Sequence, residues 1–351
     1  AAAQWQEARS AHFEIYTDLS AARARALAED LERFRAVLGA LQTFESGPDP
    51  LPLRVYAFSG PEQYREAAGR RGTDGLYVAG AHGGVALIHH PLRAGRHAPG
   101  RRVLLHEYVH HFLRRHLGFA YPVWYEEGLA EYLSTFTVRD EVALIGGVPA
   151  NRAAMLRRYA WLESERLVVE GMRYLPPVRR GGARFGARAR TDDLQMLYAN
   201  GWLAVHYLLA DPDRAAPLGE FLARVNEGEA PAAAFRESFE MSFDRFDRRL
   251  RRYHRRNEIA LRSVVLPETV RAPAVEVRAL PLSETEFWIT EAQLATAQQP
   301  DPALMRARLE RALDGLPPDA RALRRRLRLD LAELAVNVGD AERAGALLAP
   351  F

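Results

Sequence analysis

Apolar residues recur along this chain in two rhythms, and the balance between them shifts from one end to the other. Residues 12–17, HFEIYT, alternate and predict a strand. Leu27, Leu31, Phe34, Leu38 and Leu41 then fall at helical spacing, forming one face of a helix that Ser20 can cap. ESGPDPLP interrupts this helix, and LRVYAF (53–58) reads as the next strand. Ser59-Gly60-Pro61-Glu62 has the spacing of a capping box with proline in the first turn, which predicts a short helix. GLYVAG (75–80) and GVALIHH (84–90) flank Ala81-His82-Gly83 and predict a hairpin. A Gly/Pro loop, PLRAGRHAPG, leads into a helix over RRVLLHEYVHHFLRRH.

Beyond residue 100 the helical rhythm dominates. Gly118 ends the first of these helices and Pro122 opens the next, VWYEEGLAEYLSTF. Further helices are expected over 151–163 and near 192–210, 214–227, 230–238 and 242–257. Residues 171–190, GMRYLPPVRRGGARFGARAR, read as a long basic loop, either plain surface or a lid that touches an anionic ligand. EIALRSVVL predicts a strand, and PETVRAPAVEVRALPLS a proline-punctuated linker. From residue 282 the chain reads as helix pairs with short turns, in the manner of tetratricopeptide-like repeats. The predicted class is α+β. A domain over 1–265 has an α+β half (about 1–118) and a helical half (about 119–265), followed by a linker, 266–281, and a helical region, 282–351.

Composition narrows this picture. A chain of 351 residues is long enough for two or more folding units. No apolar run approaches the roughly 20 residues that cross a bilayer, so no transmembrane segment is expected. Arginine supplies all 48 basic residues, against 45 acids, and the near balance of +3 argues against a dedicated nucleic-acid binder. RRLRRYHRR, around His254, reads as a solvated helix face. Cysteine is absent, which rules out disulfides and thiolate metal sites, so any metal must be held by histidine and carboxylate. The chain begins AAAQW, without methionine, which reads as a processed or trimmed start.

HEYVH, residues 106–110, carries the sharpest chemistry. Histidines four apart stand one turn apart on one helix face and can hold a single Zn²⁺. Glu107 lies beside the metal without ligating it, placed to take a proton from zinc-bound water. Val103, Leu104, Leu105, Val109, Phe112 and Leu113 mark the helix as largely buried, where unpaired histidines and a glutamate would be costly. Sixteen residues beyond His110 begins a second acidic group, Glu126-Glu127-Gly128-Leu129-Ala130-Glu131. If the chain turns back near Gly118–Pro122, a carboxylate of this group can complete a His₂Glu site and leave a fourth position for water.

HEYVH followed by WYEEGLAEY resembles the gluzincin metallopeptidases, and more narrowly the bacterial peptidase-MA-like families. The likeness extends over roughly residues 10–260 and is most specific at 103–132. It implies a zincin-like catalytic domain, zinc as cofactor, peptide or protein as substrate, and a partner surface on the C-terminal helices. It leans towards an exported, periplasmic bacterial protein. The E-G-x-A element puts the third ligand at Glu127, with Glu131 orienting the first histidine from behind the ligands. Because the spacing is slightly shorter than in better-known gluzincins, Glu131 and Glu126 remain rival ligands. Related enzymes supply a Tyr or His as oxyanion stabiliser. LYANGWLAVHYLL offers Tyr198 and His206, with Tyr198 preferred. The resemblance also implies peptide binding by addition to an edge strand, for which GVALIHH is the candidate. Two rival functions share these motifs: a catalytically silent binding module, and a zinc amidohydrolase acting on cell-wall material.

Overall fold

A computed structural model describes residues 4–42, 51–69, 75–80, 83–89, 99–116, 121–139, 141–171, 179–180, 183–184, 191–256, 259–296 and 301–351. In chain order the first elements are β1 (Gln6–Arg9), β2 (Phe13–Thr17), α1 (Ala21–Gln42), β3 (Leu53–Phe58), α2 (Pro61–Ala68), β4 (Gly75–Gly80), β5 (Gly83–His89) and α3 (Pro99–His116). Then come α4 (Val123–Leu133), β6 (Thr137–Arg139), β7 (Val142–Ile145), α5 (Ala150–Arg158), α6 (Ser164–Glu170), β8 (Arg179–Arg180), β9 (Ala183–Arg184) and α7 (Thr191–Leu209). The chain continues with α8 (Pro212–Asn226), α9 (Pro231–Phe239), α10 (Phe243–Arg256), β10 (Arg262–Val265), β11 (Glu276–Ala279), α11 (Leu282–Thr296), α12 (Pro302–Gly315), α13 (Arg321–Asn337) and α14 (Ala341–Leu348). The class is α+β, as the two rhythms predicted. Among the described residues no helix is long and apolar enough to cross a membrane.

Two units divide the chain: residues 1–104 with 267–351, and residues 105–266. The first holds a six-stranded mixed sheet, ordered β11-β1-β2-β3-β5-β4. β2, β3 and β5 run parallel, while β1, β11 and β4 pair antiparallel with their neighbours. Central β3 is buried along its whole length, as expected for a strand with both faces covered. Its Tyr56 and Phe58 join Tyr16, Tyr64 and Leu87 in a core closed by Phe287, Trp288, Leu309, Leu327 and Leu331 of α11, α12 and α13. Tyr16 stacks on Trp288 with ring centroids 3.9 Å apart.

This arrangement departs from the predicted division. The expected linker, 266–281, carries β11, which pairs with β1 from Gln6↔Ala279 to Arg9↔Glu276. The expected tail, 282–351, belongs to the same unit as the N-terminal sheet. Helical periodicity shows that a segment has an apolar stripe but not which surface the stripe covers. Here it covers an aromatic sheet face that would otherwise be wet. Two smaller expectations also change. Residues 84–89 of GVALIHH lie in β5, which sits between β3 and β4, so the edge strands of the described sheet are β4 and β11. Ser59 does not cap α2; its hydroxyl donates to Asp18 Oδ2 at 2.5 Å, although Pro61 still opens the helix.

A polar network lies within this core. Glu291 of α11 accepts from Arg54 and Tyr56 of β3, and from Arg326 of α13 at 2.5 Å. Asp330 has only a loose contact with Arg326 Nε, at 3.4 Å, and its Oδ2 has no hydrogen-bond partner. Burial, reinforced by the charge of Glu291, pushes Asp330 up from 3.8 to about 7. A carboxyl raised on folding favours the fold fully below 3.8, and that contribution is lost as pH rises through about 7. Asp330→Asn is therefore expected to abolish much of the stability loss between pH about 4 and about 7. At the upper end it should be more stable than the parent by on the order of 2 kcal/mol. Urea unfolding of both proteins across this range checks it; parallel stability curves would contradict it.

In the second unit α4 lies against α7, the most extensively packed helix pair among the described residues. The two backbones meet at glycines. A Cβ on Gly128 would stand 2.4 Å from Gly201 O, and one on Gly201 would stand 2.6 Å from Trp124 O. A three-stranded antiparallel sheet, β10-β7-β6, and an aromatic cluster of Trp124, Phe221, Phe235, Phe239 and Phe246 complete this unit. Most of the 171–190 loop lies outside the described residues, as do the side chains of its two short strands.

Candidate metal centre

α3 buries Leu104, Leu105, Tyr108, Val109, Phe112 and Leu113. That stripe orients the helix so that His106 and His110, one turn apart, share another face. Their rings meet edge to face with centroids 4.9 Å apart. α4 supplies the carboxylates, and its close approach to α7 through Gly128 brings Tyr198 to the same place.

His106 Nε2, His110 Nε2 and Glu127 Oε2 form a small triangle. The edges are 3.1 Å from His106 to Glu127, 3.2 Å between the imidazoles and 3.4 Å from His110 to Glu127. The outer ring nitrogens have carboxylates of their own. His110 Nδ1 donates to Glu126 Oε1 at 2.8 Å, and His106 Nδ1 faces Glu131 Oε1 at 3.6 Å. Since an ionised carboxylate only accepts, the proton of a neutral His110 sits on Nδ1. Its Nε2 lone pair then points at the other ring and at a carboxylate oxygen. A proton or a cation has to lie among these three acceptors.

Without a cation the proton takes that place. Burial disfavours a charged His110, but its hydrogen bonds to Glu126 and Glu127 outweigh burial and raise it to about 10. Burial likewise pushes Glu127 upward, yet hydrogen bonds from His106 and His110 hold it well below the usual carboxylate range.

The rival carboxylates are sorted by which ring edge they meet. Glu127 faces the inner nitrogens; Glu126 and Glu131 face the outer ones. Glu131 is buried and also accepts from Arg152 Nη2 of α5 at 2.6 Å. Arg152 in turn donates to Gln195 and lies over the Tyr198 ring, 4.8 Å from its centroid. Sequence reasoning missed Arg152 and Gln195, and no local signal marks them. It placed Glu126 only among the rival ligands.

Tyr198 stands edge to face with His106, centroids 6.1 Å apart. Burial raises its phenol well above the ordinary value; the charges of Glu127, Glu107 and Glu131 add to this and Arg152 opposes it. The phenol therefore keeps its proton, and its hydroxyl makes no hydrogen bond to a described residue. Glu107 is half-buried and has no ion-pair or hydrogen-bond partner among the described residues. His206, the alternative to Tyr198, is fully buried with both nitrogens engaged: Nε2 on Gly146 O at 2.8 Å and Nδ1 on the Tyr253 hydroxyl at 2.8 Å. That is a structural histidine. Among the described residues the His106–His110–Glu127 set is the one cluster suited to a metal ion. Comparison with protein-family models found no match to this sequence, and comparison with curated proteins found none.

Proposed function

We propose that this protein is a zinc-dependent metallopeptidase of gluzincin type, as its resemblance to the peptidase-MA-like families implies. One observation carries the reading: three lone pairs from two helices converge with the spacing of a tetrahedral ligand set. Zn–N bonds of roughly 2.0–2.1 Å and Zn–O bonds of about the same length put neighbouring tetrahedral ligands about 3.3–3.5 Å apart. The triangle edges, 3.1, 3.2 and 3.4 Å, are close to this. The donors, two imidazoles and one carboxylate, are also a set zinc accepts in catalytic sites.

Zinc held by His106, His110 and Glu127 would supply Lewis acidity, polarising a scissile carbonyl and lowering the pKa of water. The remaining roles fall to the chain itself. Glu126 and Glu131 hold the two imidazoles by their outer edges, keeping the inner nitrogens as acceptors. Glu107, which has no partner among the described residues, accepts the proton of the attacking water and passes it to the departing amine. Tyr198 keeps its phenolic proton and donates to the oxygen on which negative charge develops. A partner bound by the C-terminal helices would use their outer faces, where Leu304, Leu329 and Val336 are exposed.

The first test is metal binding. The purified chain is expected to take up zinc at one ion per molecule and to lose it in His110→Ala. Because His110 is protonated up to about pH 10 without metal, uptake near neutral pH should release about one proton. Calorimetry in buffers of different ionisation enthalpy measures that release. Zinc binding that survives His110→Ala unchanged would refute the site.

A further inference from the structure

Four guanidinium groups line one pocket of roughly 300 Å³ in the second unit. Arg214 comes from α8, and Arg249, Arg252 and Arg256 come from α10; the rings of Tyr207 and Tyr253 form its walls. The three α10 arginines follow helical spacing and lie along one edge of the face that buries Phe243, Phe246 and Leu250.

The pocket is held in shape. Arg214 Nε donates to Tyr207 O at 2.7 Å, Nη1 meets Asp211 Oδ2 at 2.9 Å, and the guanidinium stacks 4.2 Å over the Tyr207 ring. Tyr207 and Tyr253 meet edge to face at 5.3 Å. His206 donates from Nε2 to Gly146 O, so its Nδ1 accepts the Tyr253 hydroxyl proton and fixes that ring.

The charge is poorly compensated. Asp211 meets Arg214, but Arg249, Arg252 and Arg256 have no acidic partner among the described residues. Asp247, also on α10, is committed to Ser164, whose hydroxyl donates to it at 2.6 Å. The C-terminal dipole of α10 favours a cation in its last turn, which accounts for Arg256 but not for the convergence of Arg214, Arg249 and Arg252. Four like charges around one concavity repel, and a multiply charged anion relieves the repulsion.

We propose that this pocket binds a phosphorylated anion, either a free polyphosphate or a lipid phosphate headgroup. The guanidinium fork matches phosphate oxygens two at a time, and the tyrosine walls make a cleft rather than a flat basic surface. This proposal does not rest on the metal centre.

The test is titration of the full chain with tripolyphosphate at low salt, and in parallel with phosphatidylcholine vesicles with and without phosphatidic acid. Saturable one-to-one binding is expected. Arg249→Gln/Arg252→Gln should weaken it by about tenfold or more, the worth of a lost charge-assisted hydrogen bond. Arg248→Gln/Arg255→Gln removes the same charge from exposed positions outside the pocket and should change it little. Arg249→Lys/Arg252→Lys keeps the charge but loses the fork, and should fall between. Loss confined to tripolyphosphate assigns a free anion, and loss confined to phosphatidic acid vesicles assigns a headgroup. Equal weakening by both glutamine pairs, or no binding to either probe, overturns the proposal.

Discussion

Glu107→Gln is expected to keep zinc and to lower peptide hydrolysis by about a thousandfold, within the range that a positioned general base contributes. The amide has nearly the same shape as the carboxylate but cannot take a proton at neutral pH. Glu107 has no partner to lose among the described residues, so the change should leave α3 intact, with His106 and His110 still facing Glu127. Zinc stoichiometry and release of peptides from a denatured protein should be measured on the same preparations. A variant that cleaves like the parent would place the base elsewhere. Loss of zinc would make Glu107 a ligand, contrary to the triangle described above. Binding of peptide that survives in the variant, with no cleavage by the parent, would favour the binding-module reading over the enzyme.

The second large effect concerns Gly128. Gly128→Ala places a methyl group 2.4 Å from the carbonyl oxygen of Gly201 and 2.5 Å from its carbon, both of them backbone atoms. No rotamer relieves such a contact, so α4 and α7 must separate. The expected cost is about 3 kcal/mol or more, at the upper end of overpacking. The separation should also carry Glu127 away from the imidazoles, weakening zinc as well as stability. Gly219→Ala in α8 is the matched control. Open space surrounds that position, and alanine in a helix interior should be stabilising by about 0.5–1 kcal/mol. Urea midpoints and zinc titrations on both variants test the contrast. If Gly128→Ala matched the parent in both, the close crossing would not be what holds the centre together.

Gly128 also shows what a motif leaves unsaid. In the sequence, Glu127-Gly128-Leu129-Ala130 appears as a ligand beside a small residue, with no reason for the glycine. The reason lies at Gly201, far along the chain, where the α7 backbone leaves no room for a Cβ. Arg152 is a similar case. It stands in an unremarkable run, ANRAAMLRR, yet it is buried and joins Glu131 to the ring of Tyr198.

Local spacing alone determined that His106 and His110 share a helix face, that Glu127 and Glu131 lie one turn apart on the next helix, and that the chain mixes strands with helices. These are consequences of backbone periodicity, which acts between near neighbours and can be read from their order. The tertiary structure decided which carboxylate meets which edge of each imidazole, which residues brace Tyr198, that β5 is an interior strand, and that α11–α13 cover the N-terminal sheet. Those outcomes come from burial summed over segments far apart in the chain. Many partners could satisfy a single apolar stripe, and only the closed core selects among them.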